Sequence, residues 1–228
     1  MTLRPYLASL LLLTAAAANA DTLRTQRIDL PAGIQQVVIE TAGNLEIRPG
    51  RAGRLTIEAE PHVLQKLDNI PRQNTLTLRT KDTIITQHPI RYTLEIPNLR
   101  ALTARGSGTI QIGPFRGDTL ELELAGDGNA TVQDITYKRL TLRLSGTGNI
   151  DISGRGDTLT ATVSGIGIIR ADTLIVTHAE ATIVGIGDIY LQATRQIKGN
   201  IIGSGNIRYT GRPEIPPTII GANYFEPQ

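Results

Sequence analysis

The sequence predicts an all-β fold: a single-stranded parallel β-helix with coils of roughly 20 residues and an irregular N-terminal cap that contains one short helix. Three observations predict it. A Gly-x-Gly unit recurs at steps of 18 to 20 residues, apolar and polar residues alternate on both sides of each unit, and every unit leads into another strand rather than a helix. Such a repeat is typical of a solenoid, in which each coil stacks on the previous one.

The repeated glycines are predicted to form one corner of each coil. A sharp turn between short strands requires backbone angles that glycine adopts at little steric cost. A positive φ at Gly148 would make a Gly148→Val change destabilising. The asparagines that follow three units are expected to bond nearby backbone or the copy one coil away. The predicted corner glycines are Gly106, Gly108, Gly126, Gly128, Gly146, Gly148, Gly165, Gly167, Gly185, Gly187, Gly203 and Gly205.

The columns that flank the glycines predict which side chains form the core. Alternation with a period of two is the pattern of a strand with one buried face. Leu142 belongs to an inward column, so an aspartate there would place a charge among apolar neighbours. Two further inward columns are Ala104, Leu124, Leu144, Val163, Ile183 and Ile201 before the corner, and Ile110, Ala130, Ile150, Ile169, Ile189 and Ile207 after it.

The chain before the clean repeats is less regular. A degenerate copy, "TAGNLEI" at Thr41–Ile47, suggests that the coils begin early, and Pro61–Ile70 is predicted as a short helix that starts with proline. The end of a parallel stack would present unpaired backbone, so a cap is expected there. We place irregular coils or a cap at residues 21–98 and regular repeats at 99–211, both in one domain, and a proline-rich tail at 212–228.

Residues 1–20 are predicted to be a secretory signal peptide. Arg4 gives a positive start, residues 7–18 form an apolar run, and Ala18-Asn19-Ala20 forms a small-x-small cleavage site. The run is shorter than the roughly 20 residues of a membrane span. We therefore expect an exported protein, in the periplasm or at the cell surface, with no transmembrane segment after cleavage. The chain has no cysteine, so its stability must come from burial and backbone hydrogen bonds.

Composition and motifs predict no cofactor, metal or nucleic-acid partner. The 23 basic and 21 acidic residues nearly balance, which argues against nucleic acid. A nucleotide-binding glycine loop leads into a helix, whereas these units lead into strands. The paired glycines and regular aspartates of calcium-binding β-helix repeats are absent. His62, His88 and His178 are scattered and show no ligand spacing.

The repeat and its flanking residues resemble the head GIN domain of autotransporter adhesins. The resemblance rests on "IPNLRALTARGSGTI" (Ile96–Ile110), followed by "GDGNA", "GTGNI", "GIGII", "GIGDI" and "GSGNI", and it covers residues 34–210. It implies a β-helix fold and an envelope or surface location. Adhesion is the label that the family carries, and the resemblance brings no catalytic residues with it.

The outward columns leave an enzymatic alternative open. Enzymes that cleave acidic polysaccharides often use the outer face of a β-helix, and acidic and basic groups lie on this face. However, neighbouring coils place opposite charges in the same column, as in Glu123 before Arg143, which is typical of ordinary ladder contacts. The outward charged residues are Glu121, Glu123, Arg143, Asp151, Arg170, Glu180, Lys198 and Arg208. The sequence favours a non-catalytic envelope or surface protein with a binding, adhesion or scaffold role, the alternative being a polysaccharide-active enzyme.

Two Arg-Gly-Asp tripeptides, at residues 116–118 and 155–157, match the motif that integrins recognise in exposed loops. Gly-Asp is also common turn chemistry, and both tripeptides precede the Thr-Leu with which the next coil starts. The turn interpretation is favoured, because "ADTL" at residues 171–174 shows the same turn without the motif.

The corner row contains a candidate interaction patch. Ile166 and Ile186 occupy the middle position of two adjacent Gly-x-Gly units, and Val184 and Ile202 precede their glycines. Corner side chains should point outward, and contiguous exposed apolar groups usually mark an interface. The predicted partner is an unidentified envelope or surface macromolecule or a second copy of the chain. In the alternative, which is slightly favoured, the tail folds back to cover the patch with Ile215, Ile219, Ile220, Tyr224 and Phe225.

Overall fold

The computed structural model describes residues 23–214, 218–220 and 225–227, and the predicted signal peptide lies outside them. The elements in this part of the chain are β1 Arg24–Asp29, β2 Gln36–Ile39, β3 Asn44–Pro49, β4 Arg54–Ala59, α1 Pro61–Leu64, β5 Leu67–Arg72, β6 Thr75–Thr80, β7 Arg91–Ile96, β8 Ala101–Ala104, β9 Ser107–Ile112, β10 Arg116–Leu124, β11 Asp127–Leu144, β12 Thr147–Val163, β13 Ile166–Ile183, β14 Ile186–Ile201, β15 Ile207–Thr210, β16 Thr218–Ile220 and β17 Phe225–Pro227.

These strands form a β-solenoid of about six turns with coils of roughly 20 residues, as the sequence predicts. Each long strand from β11 to β14 runs from one glycine corner to the next and pairs in parallel with the coil above and below. Two main ladders run the length of the stack, one on each side of the glycine corner. The corner, the ladders and the inward columns therefore repeat at the same place in every coil.

The N-terminal end has a topology that the sequence does not reveal. The coil made by β2 and β3 lies between two coils that follow it in sequence, because β2 pairs with both β6 and β8, and β3 pairs with both β7 and β9. Antiparallel strands β1 and β4 continue from β7, and β5 pairs antiparallel with β6. These antiparallel strands cover the end of the parallel stack, where a cap is expected.

The predicted short helix is present, but it is shorter than the sequence suggests. Helix α1 spans only Pro61–Leu64, with proline in its first turn, and the remainder of the predicted segment belongs to strand β5. The prediction of a helix up to Ile70 is wrong because Leu67–Arg72 pairs antiparallel with β6. The degenerate "TAGNLEI" copy does form a coil corner, since its Gly43 donates its N–H to Ser107 O at 2.9 Å.

The core lies inside the stacked coils and consists of the predicted columns. Every member of the two columns that flank the glycines is buried, and so are Leu122, Leu142 and Ala161 in a third column. Leu142 lies in register between Leu122 and Ala161, so its apolar contacts come from both adjacent coils. Burial in columns of this kind stabilises the solenoid along its whole length.

The corner glycines are required for two different reasons. Gly148 has a φ of 144°, which residues with a Cβ rarely adopt. Gly146 does not have a positive φ, but a Cβ there would overlap the carbonyl oxygen of Gly126 on the preceding coil. The sequence argument from backbone angles therefore holds for Gly148, whereas the close approach of stacked backbones explains Gly146.

The described part of the tail extends the stack. Strand β16 pairs in parallel with Lys198–Asn200, and β17 pairs in parallel with Ile207–Tyr209. Ile220 is 70% exposed. Ile215 and Tyr224 lie outside the described residues, and only the backbone is described for Ile219 and Phe225. Ile166 and Ile186 are exposed in the described structure, and the tail cover stays a prediction, because four of the five side chains it names lie outside the described part.

Candidate functional site

The corner patch consists of Ile166, Val184, Ile186 and Ile202, which are 55%, 49%, 59% and 70% exposed. Ile166 and Ile186 are in register on adjacent coils. Val184 and Ile202 lie one residue before their glycines, on the same ridge. Neighbouring coils are about 4.8 Å apart, so the four side chains form one contiguous apolar surface.

The surroundings of the corner patch carry little charge. Ser145 and Ser164 continue the column that contains Val184, while Thr147 and Ser204 flank the two isoleucines in register. Over these coils, the two corner columns hold apolar and hydroxyl side chains only. A partner surface would thus meet the corner patch without having to supply a countercharge.

The outward ion pairs are local ladder contacts. Asp151 and Arg170 pair at 3.2 Å across adjacent coils, and both are exposed to a similar degree. Glu123 is in register with Arg143, and Glu180 with Lys198, but neither pair lies within ion-pair distance. Surface contacts of this kind contribute up to about 1 kcal/mol each.

A second surface feature, the arginine cleft, was not predicted. It has a volume of about 360 Å³ and lies on the outer face near the N-terminal coils. Three arginines from different segments line it: Arg100 precedes β8, Arg116 begins β10, and Arg139 lies in β11. The pairing of β8 with β10 brings Arg100, the residue before β8, next to β10. The pairing of β10 with β11 brings Arg139 to the same place, because Arg139 is in register with Thr119 on β10.

The first Arg-Gly-Asp tripeptide forms part of the arginine cleft. Lys138 Nζ forms an ion pair with Asp118 Oδ1 at 2.8 Å. Hydrogen bonding and charge from Lys138 hold the pKa of Asp118 below its ordinary value, and Arg139 and Arg100 act in the same direction. The carboxylate of this Arg-Gly-Asp tripeptide is therefore already paired with a lysine of the same chain. Arg155 and Asp157 of the second tripeptide are exposed further along the same ladder, where Arg155 is in register with Thr136.

Two of the three histidines are brought together at Glu60, although the sequence shows them as scattered. His88 Nδ1 lies 3.2 Å from Glu60 Oε1, and His62 Nε2 lies 3.7 Å from Glu60 Oε2. Thr86 donates its hydroxyl to Glu60 Oε2 at 2.7 Å. Bonds from Thr86 and His88, in that order, lower the pKa of the buried Glu60 carboxyl. Among residues 23–214 and the tail strands, no group of three or more His, Cys, Asp or Glu side chains has an arrangement that could hold a metal ion.

The repeat architecture agrees with a comparison with known families. Residues 34–213 match the family model described as "Putative auto-transporter adhesin, head GIN domain". The chain belongs to this head GIN domain family. The match covers the inserted N-terminal coil as well as the regular repeats. No curated protein matches the chain.

Solved structures share the fold of this head GIN domain. A "putative adhesin" from Bacteroides fragilis has a TM-score of 0.83 and 24% identity, covering 87% of this chain and 93% of that chain. A "putative lipid binding protein" from Parabacteroides distasonis has a TM-score of 0.72 and 23% identity, covering 91% and 97%. A "putative adhesin" from Parabacteroides merdae has a TM-score of 0.68 and 18% identity, with the same coverage.

The family name suggests a surface role of the adhesin type, and neither it nor the names of these structures describes an enzyme. No helix in the described residues of this head GIN domain has the length and hydrophobicity for a membrane crossing.

Proposed function

We propose that the chain is a non-catalytic exported protein of the envelope or cell surface, which acts by binding through its solenoid surface. The observation that carries this proposal is the corner patch, an exposed apolar surface on a chain whose other large apolar side chains are mostly buried. The adhesin family supports the surface role. The corner patch is the proposed contact surface, and its proposed occupant is a second copy of this chain.

Self-association is favoured by the shape and charge of the corner patch. In a two-fold dimer the same surface meets itself, so any net charge on it would face a like charge. The columns that contain Ile166 and Val184 carry no charge over the coils of the corner patch. The corner is also a straight ridge, because its glycines stack in register from coil to coil. Two such ridges can lie side by side with their apolar groups in contact.

Sedimentation of the mature protein over a range of concentrations tests this proposal. The wild-type chain should associate, and the double variant Ile166→Asp with Ile186→Asp should remain monomeric with an unchanged melting temperature. The corner accommodates aspartate, because Asp127 occupies the same row naturally. Ser107→Asp, in that row but outside the corner patch, is the matched control and should associate like wild type. A wild-type monomer at all concentrations, or a dimer that persists in the double variant, would contradict the proposal.

The enzymatic alternative has its own test. The described outward face carries acidic and arginine side chains, but Asp118 in the arginine cleft is held ionised by Lys138 rather than poised to exchange a proton. Incubation of the mature protein with acidic polysaccharides should produce neither new reducing ends nor unsaturated ends. Product formation that Asp118→Asn and Arg139→Gln abolish would establish the enzyme.

A further inference from the structure

The lining of the arginine cleft carries more positive than negative charge. Among the described residues, neither Arg100, Arg116 nor Arg139 forms an ion pair with a carboxylate. Other arginines of the same surface do so, as in the pair of Arg105 with Glu40 at 2.9 Å. Three guanidinium groups around one concavity repel one another, and an anion bound between them would relieve that repulsion.

The lining of the arginine cleft holds one carboxylate for three arginines. Asp118 forms its ion pair with Lys138 and interacts with Arg139 and Arg100 through charge alone, so the arginine cleft keeps an excess of positive charge. Arg139 donates from Nη2 to the hydroxyl of Thr119 at 3.2 Å, which orients its side chain across the arginine cleft. A guanidinium held in one orientation binds carboxylate or phosphate oxygens through paired donors.

The remaining lining groups are suited to a polyhydroxylated ligand. Asn98 and Gln35 contribute side-chain amides to the lining, and neither amide forms a side-chain hydrogen bond within the described residues. An amide can donate to and accept from sugar hydroxyls at the same time. The volume of about 360 Å³ is within the range of small-ligand sites and exceeds what a bare oxyanion fills.

We propose that the arginine cleft binds an anionic saccharide, a sugar that carries a carboxylate or phosphate group, with Arg100, Arg116 and Arg139 holding the anion. Asn98 and Gln35 contact the sugar hydroxyls. The inference goes beyond self-association, because the arginine cleft and the corner patch lie on different faces and in different coils. Lys138 holds the pKa of Asp118, the carboxyl group of the arginine cleft, below its ordinary value, so the proposed role of the site is binding.

Calorimetric titration of the mature protein tests this inference with four probes: a galacturonic acid dimer, glucosamine 1-phosphate, maltose and inorganic phosphate. One or both anionic sugars should bind saturably, more weakly as salt is added. Maltose should not bind, and inorganic phosphate should bind at least about tenfold more weakly than the better anionic sugar, a difference of about 1.4 kcal/mol. The two anionic probes distinguish the carboxylate from the phosphate source. Phosphate binding as tight as that of the sugars would overturn the saccharide assignment.

A matched pair of arginines tests the location of the site. Arg116→Gln and Arg139→Gln should each weaken binding about tenfold, because a charged hydrogen-bonding group is lost. Arg155→Gln is the control, since Arg155 opens the second Arg-Gly-Asp tripeptide and lies outside the arginine cleft. Equal weakening in all three variants would mean diffuse surface charge and overturn the proposal, as would the absence of saturable binding to either anionic sugar. The corner variant Ile166→Asp with Ile186→Asp should keep full affinity, which separates this proposal from dimerisation.

Discussion

Asn149 donates both its backbone N–H and its side-chain amide to Oδ1 of Asn129, at 3.0 Å in each case. The same contact recurs elsewhere in the column: Asn206 donates both groups to Asp188 Oδ1 at 2.8 and 2.9 Å. One acceptor oxygen thus satisfies a backbone donor on the next coil, just beyond the corner. A ladder of side-chain oxygens secures the stack where the glycines leave no side chain to pack.

Replacing Asn129 with alanine should destabilise the fold by about 1 kcal/mol, because two donors of Asn149 lose their common acceptor and the site is partly exposed. Asn129→Asp is the matched variant and should retain most of the stability, since Asp188 accepts the equivalent bonds from Asn206. Urea unfolding of the two variants measures the difference. Equal losses in both variants would mean that the acceptor oxygen does not account for the stability.

Leu142→Asp tests the assignment of the core columns. The side chain of Leu142 is fully buried between Leu122 and Ala161. A carboxylate there would lie among apolar groups of three coils, so a loss of about 3 kcal/mol or more is expected. Arg143→Asp places the same charge one residue away on the exposed face, and it should cost less than about 1 kcal/mol despite the nearby Glu123. Thermal melting that left both variants alike would refute the alternation of faces.

Gly148→Val tests whether the corner requires glycine. Valine at this position is destabilised for two reasons: the φ of Gly148 is 144°, and the new Cβ would overlap the carbonyl oxygen of Gly128. Gly33→Ala meets only the first, because Gly33 has a φ of 92° and no atom within 4 Å of an added Cβ. The Gly33 variant should lose about 1 to 2 kcal/mol, and the Gly148 variant should lose more. Urea denaturation of both compares the two costs, and a Gly148 variant as stable as the Gly33 variant would exclude backbone overlap as a cause.

The regular coils could be predicted because their information is local and repeated. The repeat length of about 20 residues predicts that Leu124, Leu144 and Val163 share one buried face. A wrong assignment of the face in one coil would conflict with the pattern in the next coil. The corner patch could be predicted from the same repeat, because Ile166 and Ile186 are the large apolar residues in a row of small and polar ones. Their exposure follows from the direction of the corner, which the strands on both sides determine.

The arginine cleft and the Glu60 cluster could not be predicted, because they depend on pairings between distant segments. Arg100 and Gln35 become neighbours only because β2 is inserted beside β8, where Arg100 donates its N–H to Gln35 O at 2.7 Å. His88 reaches Glu60 because β4 and β7 pair antiparallel. A weak signal was present in Arg139, which follows Thr119 by 20 residues and therefore shares its column.

The Glu60 carboxyl should make the free energy of unfolding depend on pH in the acidic range, below the ordinary pKa of a glutamate. Its folded-state pKa is lowered from 4.5, first by the hydroxyl of Thr86 and then by His88. The stabilisation is therefore fully present above pH 4.5 and is lost as the pH falls through the lower folded-state value, because the unfolded chain takes up the proton first. His62 and His88, the titratable groups that face Glu60, favour its ionised form when they are protonated.

Glu60→Gln should therefore melt below wild type at neutral pH, and the two melting temperatures should converge as the pH falls from 4.5 through the lower folded-state pKa, below which Glu60 is neutral in wild type as well. Glu121→Gln is the control: Glu121 is exposed and accepts no side-chain hydrogen bond in the described structure, so its removal should leave the pH profile unchanged. Thermal melts at a series of pH values measure all three proteins. A difference between wild type and Glu60→Gln that stayed constant down to the lowest pH would show that packing, rather than the ionised carboxylate, accounts for the contribution of Glu60.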